Sequence, residues 1–471
     1  MFASARILLI GNISGSAVLF LRNLLLARLI GVEDYGVATT FAMVMTVVEM
    51  ASQLGLQQMI IQDDQGDDPA LQAGLQALHL LRSVLSAIVL FLAAGPIAGF
   101  LNIPEVAWAF QVLALPRLAD GFVHFDIYRL QRRQRFWPLM ITENTSFIAG
   151  FAFVAGFSWW FGDYRLMLYS FVVQYLLKSI ASHVVAERKY RLALDLPLMS
   201  RCFSFGWPLL LNGAVVFLVI NGEKVVVARE LGVGLLALYA MGLTLAMTPG
   251  LVLTRSTASF FLPLLAARKH DPESFRLTAM ALIQAMILAG LILIVGTMLV
   301  TVNLVPVLLG NDFLGVIALL TPMAIQYSIR MIQAGVSQCS IAQGKTRNAL
   351  VANLCRISVL PLVWYAATNG ASLTMLVGLA ILGETLGLVA GLLLLRRVLR
   401  VSLRPLLPSL SLTFVLFGWL AVRGIWDFGN GSGGLVPLIV FVVSVGLFVS
   451  TLASLRWLRQ FVRQQRTGAA G

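Results

Sequence analysis

Eight basic residues lie inside stretches of sequence that are otherwise apolar, and they are the groups best suited to chemistry in this chain. They are Arg22, Arg82, Arg117, Lys178, Lys224, Arg255, Arg330 and Arg356. A charge at the centre of a bilayer costs at least about 2.5–3.5 kcal/mol, so such residues need a partner or a polar cavity. The guanidinium fork suits phosphate oxygens. The pattern therefore predicts either a polar, basic cavity suited to an anion or close partners for these residues within the protein.

Depth within the apolar stretches separates the members of this set. We expect the binding residues to be Arg22, Arg117, Lys224, Arg255 and Arg330. Arg82, Lys178 and Arg356 lie nearer the predicted cytoplasmic ends of their stretches, where long side chains can reach the interface. A structural ion pair is the alternative for Arg22, Arg255 and Arg330. It is favoured for Arg117, because Asp120 follows three residues later on the same helical face.

Acidic residues in the apolar stretches could carry a coupling ion. They are Glu49, Asp120, Asp126, Glu143, Glu223 and Glu384. Intramembrane carboxylates often serve as relays, and we assign possible proton or sodium coupling to Glu49 and Glu143. The sequence predicts no cofactor and no metal, because the histidines show no ligand spacing. Gly344-Lys345-Thr346 lacks the first glycine of a phosphate-binding loop.

Fourteen apolar stretches must position these residues. The 471-residue chain is 59% hydrophobic and only 12% charged, and about 20 apolar residues suffice to cross a bilayer as a helix. The sequence predicts an all-α integral membrane protein with 14 transmembrane helices. We place them near residues 7–30, 37–61, 71–99, 105–128, 138–161, 165–186, 204–228, 235–263, 276–301, 313–341, 348–368, 371–395, 406–423 and 435–455.

The distribution of basic residues predicts the topology. Of 34 Lys and Arg residues, 22 lie in the termini and even-numbered loops and four in the odd-numbered loops. This asymmetry predicts a multi-pass membrane protein with both termini in the cytoplasm. The second loop departs from the pattern, with Asp63, Asp64, Asp67 and Asp68 and no basic residue. Nucleic acid is excluded as a partner because no basic soluble face exists.

A short internal repeat predicts the domain organisation. Residues 24–33 (LLLARLIGVE) resemble residues 225–234 (VVVARELGVG) at an offset of 201. An even number of spans separates the copies, so they point the same way, with the site expected between the halves. We predict an N-lobe of six helices at 1–200, a C-lobe of six at 201–396, and two accessory spans with a basic tail at 397–471. The lobes would be related by a pseudo-two-fold axis along the membrane normal.

Several motifs carry a resemblance to a known family. They are Gly31-Val32-Glu33-Asp34-Tyr35-Gly36, Leu54-Gly55-Leu56, Phe205-Gly206-Trp207-Pro208, Leu231-Gly232 with Tyr239-Ala240, Leu309-Gly310, and Gln343-Gly344-Lys345-Thr346-Arg347. The chain resembles the polysaccharide transporter (oligosaccharide flippase) branch of the multidrug/oligosaccharidyl-lipid/polysaccharide exporter superfamily. Related flippases use arginines on their first and eighth spans, which adds weight to Arg22 and Arg255. The family's aspartate near the outer end of the seventh span is replaced here by Glu223-Lys224.

This resemblance implies a flippase that moves a polyisoprenyl-pyrophosphate-linked oligosaccharide across the bacterial inner membrane by alternating access. The expected partners are that lipid-linked substrate, membrane lipids and proteins of a glycan assembly line. One alternative is an organic-cation antiporter of the same superfamily, but eight buried basic residues against six acidic ones favour an anion. The other alternative is a membrane glycosyltransferase, polymerase or ligase. The short outside loops disfavour it, so we expect no enzyme.

Overall fold

The protein is all-helical over the residues that its computed structural model describes. These are residues 2–52, 54–303, 305–345, 347–399 and 456–468, with a few single positions between 406 and 418. The fourteenth predicted span and most of the thirteenth lie outside them. The chain divides into two compact units, Met1–Ala237 and Leu238–Gly471. The sequence repeat predicts a lobe boundary at 200/201. The structural division lies later in the chain and places the predicted seventh span (204–228) in the first unit.

The first unit contains ten helices and the start of an eleventh among its described residues. They are α1 Phe2–Leu29, α2 Val32–Ala51, α3 Leu56–Gln62, α4 Pro69–Phe100, α5 Ala107–Val112, α6 Ala114–Asp120, α7 Asp126–Arg132, α8 Trp137–Phe157, α9 Arg165–Val184, α10 Leu196–Val226 and α11 Val233–Ala267. A 3-10 turn at Pro104–Val106 precedes α5, and α10 continues as a π-helical turn at Val227–Leu231. The unit boundary falls within α11.

The second unit holds the rest of α11 and the remaining described helices. They are α12 Pro272–Asn303, α13 Val305–Leu309, α14 Ile317–Ala342, α15 Arg347–Ile357, α16 Leu360–Thr368, α17 Leu373–Leu399 and α18 Arg456–Gly468. A 3-10 segment, Asn311–Val316, leads into α14. The apolar core of this unit lies between α12, α14 and α17, and Phe461 of α18 is buried against it.

Within the described part of the chain, eight helices are long and apolar enough to cross a membrane. A ninth span is possible if α2 and α3, which meet at a bend of 48°, act together. The predicted fourth span (105–128) is not one helix but is divided among α5, α6 and α7. The break after α6 is stabilised by distant side chains, because the backbone amides of His124 and Phe125 donate to Ser182 Oγ (2.9 Å) and Gln76 Oε1 (3.2 Å).

The loop that departs from the basic pattern is neutralised by its neighbours. Three ion pairs join the second, fourth and sixth loops: Arg133–Asp67, Arg201–Asp63 and Arg135–Glu187. The hydrogen bond from Arg135 lowers the pKa of the Glu187 carboxyl below its usual range. These three segments therefore lie on one side of the first unit, and Asp67 and Asp63 act as counter-ions for Arg133 and Arg201.

Candidate functional site

The interior of the first unit holds an arginine with no acidic partner. Arg22, on α1, is only 4% exposed. Its Nη1 donates to Gln174 Oε1 (2.5 Å), and its guanidinium lies 5.3 Å from the ring centre of Phe171. Its Nε is buried and has no hydrogen-bond partner. No carboxylate among the described residues forms an ion pair with it. An arginine with an unused buried donor is suited to binding an anion.

A glycine lets Arg22 reach across the helix packing. Helix α1 packs on α8, and α8 packs on α9. Gly150 of α8 lies beside the contact, where a Cβ atom would come within 3.2 Å of Arg22 Nη1, Gln174 Oε1 and Ser170 Oγ. Ser170 Oγ donates to the Gly150 carbonyl at 3.0 Å. We call Arg22, Gln174, Ser170 and Gly150 the Arg22 niche.

A second polar cluster in the first unit is organised by Asp120. Arg117 Nη1 donates to Asp120 Oδ2 (2.9 Å), so the predicted local pair is present. Lys178 Nζ lies 3.2 Å from Asp120 Oδ1 and 3.5 Å from Glu143 Oε1. His79 Nε2 contacts the Asp120 carbonyl at 2.8 Å. Arg117 is therefore compensated within the protein, while Lys178 bridges two carboxylates.

Arg82 extends this cluster toward the end of α2. Its Nη1 donates to the Ser52 carbonyl (2.9 Å), and its Nη2 lies 3.1 Å from His79 Nδ1. Coulombic attraction also links it to Glu49, which is exposed on α2. Arg82 and Lys178, expected from the sequence to extend toward the interface, instead contact polar groups of the first unit.

In the second unit, one carboxylate holds two arginines. Glu384 on α17 is 1% exposed. Its Oε1 accepts from Arg330 Nη2 (2.6 Å), Arg330 Nε (2.8 Å) and Arg356 Nη2 (2.8 Å). The Arg330 guanidinium also lies 5.4 Å from the ring centre of Tyr327. Together these three groups carry one net positive charge. Arg330 therefore forms a structural ion pair, which the sequence analysis gave as the alternative to a role in binding.

The other predicted site residues lie in different surroundings. Arg255 is exposed on α11. Lys224 Nζ, near the end of α10, donates to Asn221 Oδ1 at 3.3 Å. Neither Lys224 nor Glu49 contributes to the contacts of Arg22. The described residues contain no group of three or more His, Cys, Asp or Glu side chains that could hold a metal ion.

Gln174 and the role of Glu384 were missed by the sequence analysis. Gln174 is the residue that positions Arg22, and its signal was available, because an amide interrupts the predicted sixth span one turn after Ser170. Glu384 was noted only as a buried acid. Its two arginines are distant in sequence, and nothing local to α17 indicates them.

Comparisons with known proteins identify the family of this chain. Residues 25–318 match the model of a family described as polysaccharide biosynthesis protein. The chain belongs to this family.

Two relatives carry names from bacterial glycan biosynthesis. The chain is 22% identical to the teichuronic acid biosynthesis protein TuaB of Bacillus subtilis over 81% of this chain and 78% of TuaB. It is 20% identical to the lipopolysaccharide biosynthesis protein WzxC of Escherichia coli over 83% of this chain and 80% of WzxC. The succinoglycan biosynthesis transport protein ExoT of Rhizobium meliloti matches over a shorter region, 53% of this chain and 50% of ExoT, at 22% identity.

Solved transporter structures share the fold. An inward-facing multidrug-resistance MATE transporter of the MOP superfamily superposes with a TM-score of 0.64 at 11% identity, over 82% of this chain and 94% of that one. The lipid II flippase MurJ, in an inward closed conformation, superposes with a TM-score of 0.63 at 14% identity, over 93% and 98% of the two chains. The predicted recognition is confirmed, and the chain is a multi-pass membrane protein of this polysaccharide biosynthesis family.

Proposed function

We propose that the protein is a flippase that moves a polyisoprenyl-pyrophosphate-linked oligosaccharide across the bacterial inner membrane by alternating access. Both termini lie in the cytoplasm, and fourteen helices form two six-helix lobes and an accessory pair. The observation that carries the proposal is Arg22, a buried arginine with an unused donor and no acidic partner among the residues that the structure describes. The names of the relatives support a polymer repeat unit as cargo.

The pyrophosphate supplies the counter-charge that Arg22 lacks. Gln174 occupies Nη1 and fixes the plane of the guanidinium, while Nε remains available to a phosphate oxygen. Electrostatic attraction is stronger in a site that excludes water than at an exposed one. Burying the arginine without a carboxylate therefore favours binding of an anion from outside the protein, while the lipid tail stays in the bilayer.

Basic residues of the second unit and Lys224 of α10 complete the proposed binding set. Arg330 remains 21% exposed at its side chain although it bonds to Glu384. The cluster carries one net positive charge and can attract a second phosphate. Arg255 and Lys224 keep their proposed roles as further cations along the transport route. We remove Arg117 from this set because Asp120 compensates it.

We assign energy coupling to the carboxylates beside Lys178. Glu143 is 29% exposed at its side chain, and its ion pair is the longer of the two that Lys178 makes with carboxylates. Protonation of Glu143 would remove that ion pair, so that Lys178 would pair with Asp120 alone. Glu49, which is exposed and attracts Arg82, is the second proposed coupling residue.

The test is transport by purified protein in proteoliposomes. Wild type is given a labelled polyisoprenyl-pyrophosphate oligosaccharide in one arm and an organic cation in the other. We expect the protein to transport the lipid across the bilayer and not to transport the organic cation. Export of the cation without movement of any lipid in a panel of such oligosaccharides would contradict the proposal and favour an antiporter.

A further inference from the structure

A basic cavity opens where the sixth loop meets the start of α4. Its volume is about 230 Å³. Its described lining contains three basic and no acidic side chains: Arg188, Lys189 and Arg191, beside Gln72 and Gln76. It is part of the first unit and separate from the Arg22 niche. The same loop forms ion pairs with the second and fourth loops, so the cavity lies on the side that we assign to the cytoplasm.

Hydrogen bonds hold Arg188 and the loop backbone at this cavity, whereas its two other basic side chains have no such partner among the described residues. Arg188 donates to Gln72 Oε1 (3.0 Å) and to the Asp67 carbonyl (2.8 Å). Gln76 Nε2 donates to the Arg191 carbonyl at 2.6 Å, which holds the loop against α4. The side chains of Lys189 and Arg191 are exposed and make no hydrogen bond or ion pair with any residue that the structure describes. The cavity thus presents two unused cationic side chains on a preformed frame.

Apolar side chains beside the cavity indicate that it lies at the membrane surface. Leu192 is 50% exposed and Leu194 is 79% exposed, although both adjoin the basic residues. The 32 residues of α4 extend about 48 Å at 1.5 Å per residue, well beyond a hydrocarbon core of about 30 Å. The cavity is at the protein-covered end of that helix, where residues 71–79 are all buried.

We propose that this cavity binds the phosphate of an anionic glycerophospholipid in the cytoplasmic leaflet. Lys189 and Arg191 bind the phosphate beside the fixed Arg188, and Leu192 and Leu194 contact the acyl chains. A soluble anion would form ion pairs with the basic residues but would not contact the leucines. A zwitterionic lipid would contact the leucines but carries no net charge to attract the basic residues. This site is distinct from the proposed transport site and does not depend on the flippase proposal.

Binding of dioctanoyl phosphatidylglycerol to the detergent-solubilised full chain, measured by native mass spectrometry, tests the site. Lys189→Gln/Arg191→Gln should weaken binding about 30-fold, given the usual contribution of a basic residue near an anionic membrane surface. Lys345→Gln/Arg347→Gln, the same pair of changes at two exposed basic residues of another even-numbered loop, should leave binding unchanged. Leu192→Ser/Leu194→Ser keeps every charge and should also weaken binding.

Two further probes distinguish the sources of the phosphate. Dioctanoyl phosphatidylcholine should bind at least tenfold more weakly than phosphatidylglycerol, and sodium pyrophosphate should not displace phosphatidylglycerol. The proposal is overturned if the Lys189/Arg191 variant binds phosphatidylglycerol like wild type. It is also overturned if the two lipids bind equally, or if pyrophosphate displaces the lipid. None of these readouts involves transport, so their failure would leave the flippase proposal intact.

Discussion

Glu33 packs against Gly234, and the two residues are separated by the 201-residue offset of the internal repeat. A Cβ atom at Gly234 would lie 2.5 Å from Glu33 Oε1. Close beside them, a Cβ atom at Gly36 would lie 1.9 Å from the Val233 carbonyl oxygen. The two copies of the repeated turn therefore meet each other within the first unit.

The close approach of the two turns depends on Gly36. Gly36→Ala would press a methyl group into the backbone of Val233, which cannot move as a side chain could. We expect a loss of about 1–3 kcal/mol, typical of overpacking, seen as a lower unfolding temperature in detergent. Gly95→Ala is the matched control, since this helical glycine has no atom within 4 Å of its Cβ position. Equal stability of the two variants would contradict the close contact.

Gln174→Glu should convert the Arg22 niche into a closed ion pair. A carboxylate in place of the amide would give Arg22 an internal counter-ion, which should raise the unfolding temperature. The same pair would compete with a substrate phosphate. Charge-assisted hydrogen bonds contribute about 1.5–3 kcal/mol, so affinity for the lipid pyrophosphate should fall at least about tenfold. Gln111→Glu, at an exposed position of α5, should change neither the unfolding temperature nor the affinity for the lipid. Tighter substrate binding by Gln174→Glu would refute this account of the niche.

Glu384→Gln should destabilise the second unit. The change leaves Arg330 and Arg356 close together with no carboxylate between them. Removing one partner of a buried pair costs about 3–5 kcal/mol, and the unfolding temperature should fall accordingly. Adding Arg356→Gln should restore part of the loss, because it removes one of the two positive charges that the Glu384 carboxylate had balanced. The exposed Glu273→Gln is the control. If the second substitution gives no rescue, the two arginines do not share the carboxylate as described.

Asp120 and Glu143 both pair with Lys178, and neutralising each of them should have a different effect. Asp120 holds Arg117 and Lys178, so Asp120→Asn should lower stability markedly. Glu143 is partly exposed and contacts only Lys178 among the ion pairs of the described residues. Glu143→Gln should therefore fold, yet transport should lose its response to an imposed proton gradient. An unchanged gradient response in well-folded Glu143→Gln would exclude this carboxylate as the coupling group.

Local sequence patterns predicted those parts of the molecule that local physics determines. The ninth span was placed at 276–301 and the helix is Pro272–Asn303, because this stretch is apolar throughout. The Arg117–Asp120 pair followed from a three-residue helical spacing. The fourth span was different, since its break relies on Gln76 and Ser182 from other helices. A hydropathy pattern contains no information about such distant acceptors.

The site shows the same division between local and distant contacts. Charge inside an apolar stretch was enough to select Arg22 and Arg330. Their surroundings were not predictable, because Gln174 lies 152 residues from Arg22 and Glu384 lies 54 residues from Arg330. The packing of α1, α8 and α9 leaves Arg22 without a carboxylate, whereas that of α14 and α17 gives one to Arg330. Two residues of similar sequence signature therefore differ in the charge that they can offer a substrate.

Affinity for a polyisoprenyl-pyrophosphate oligosaccharide is the most direct test of the central claim that Arg22 binds the substrate phosphate. The purified protein would be titrated with the labelled lipid, comparing wild type with Arg22→Gln and Arg28→Gln. Arg28 lies on the same helix and is exposed, so the two variants lose the same charge. We predict a loss of at least about tenfold for Arg22→Gln, as for a charge-assisted hydrogen bond, and none for Arg28→Gln. Equal affinity of folded Arg22→Gln and wild type would contradict the account.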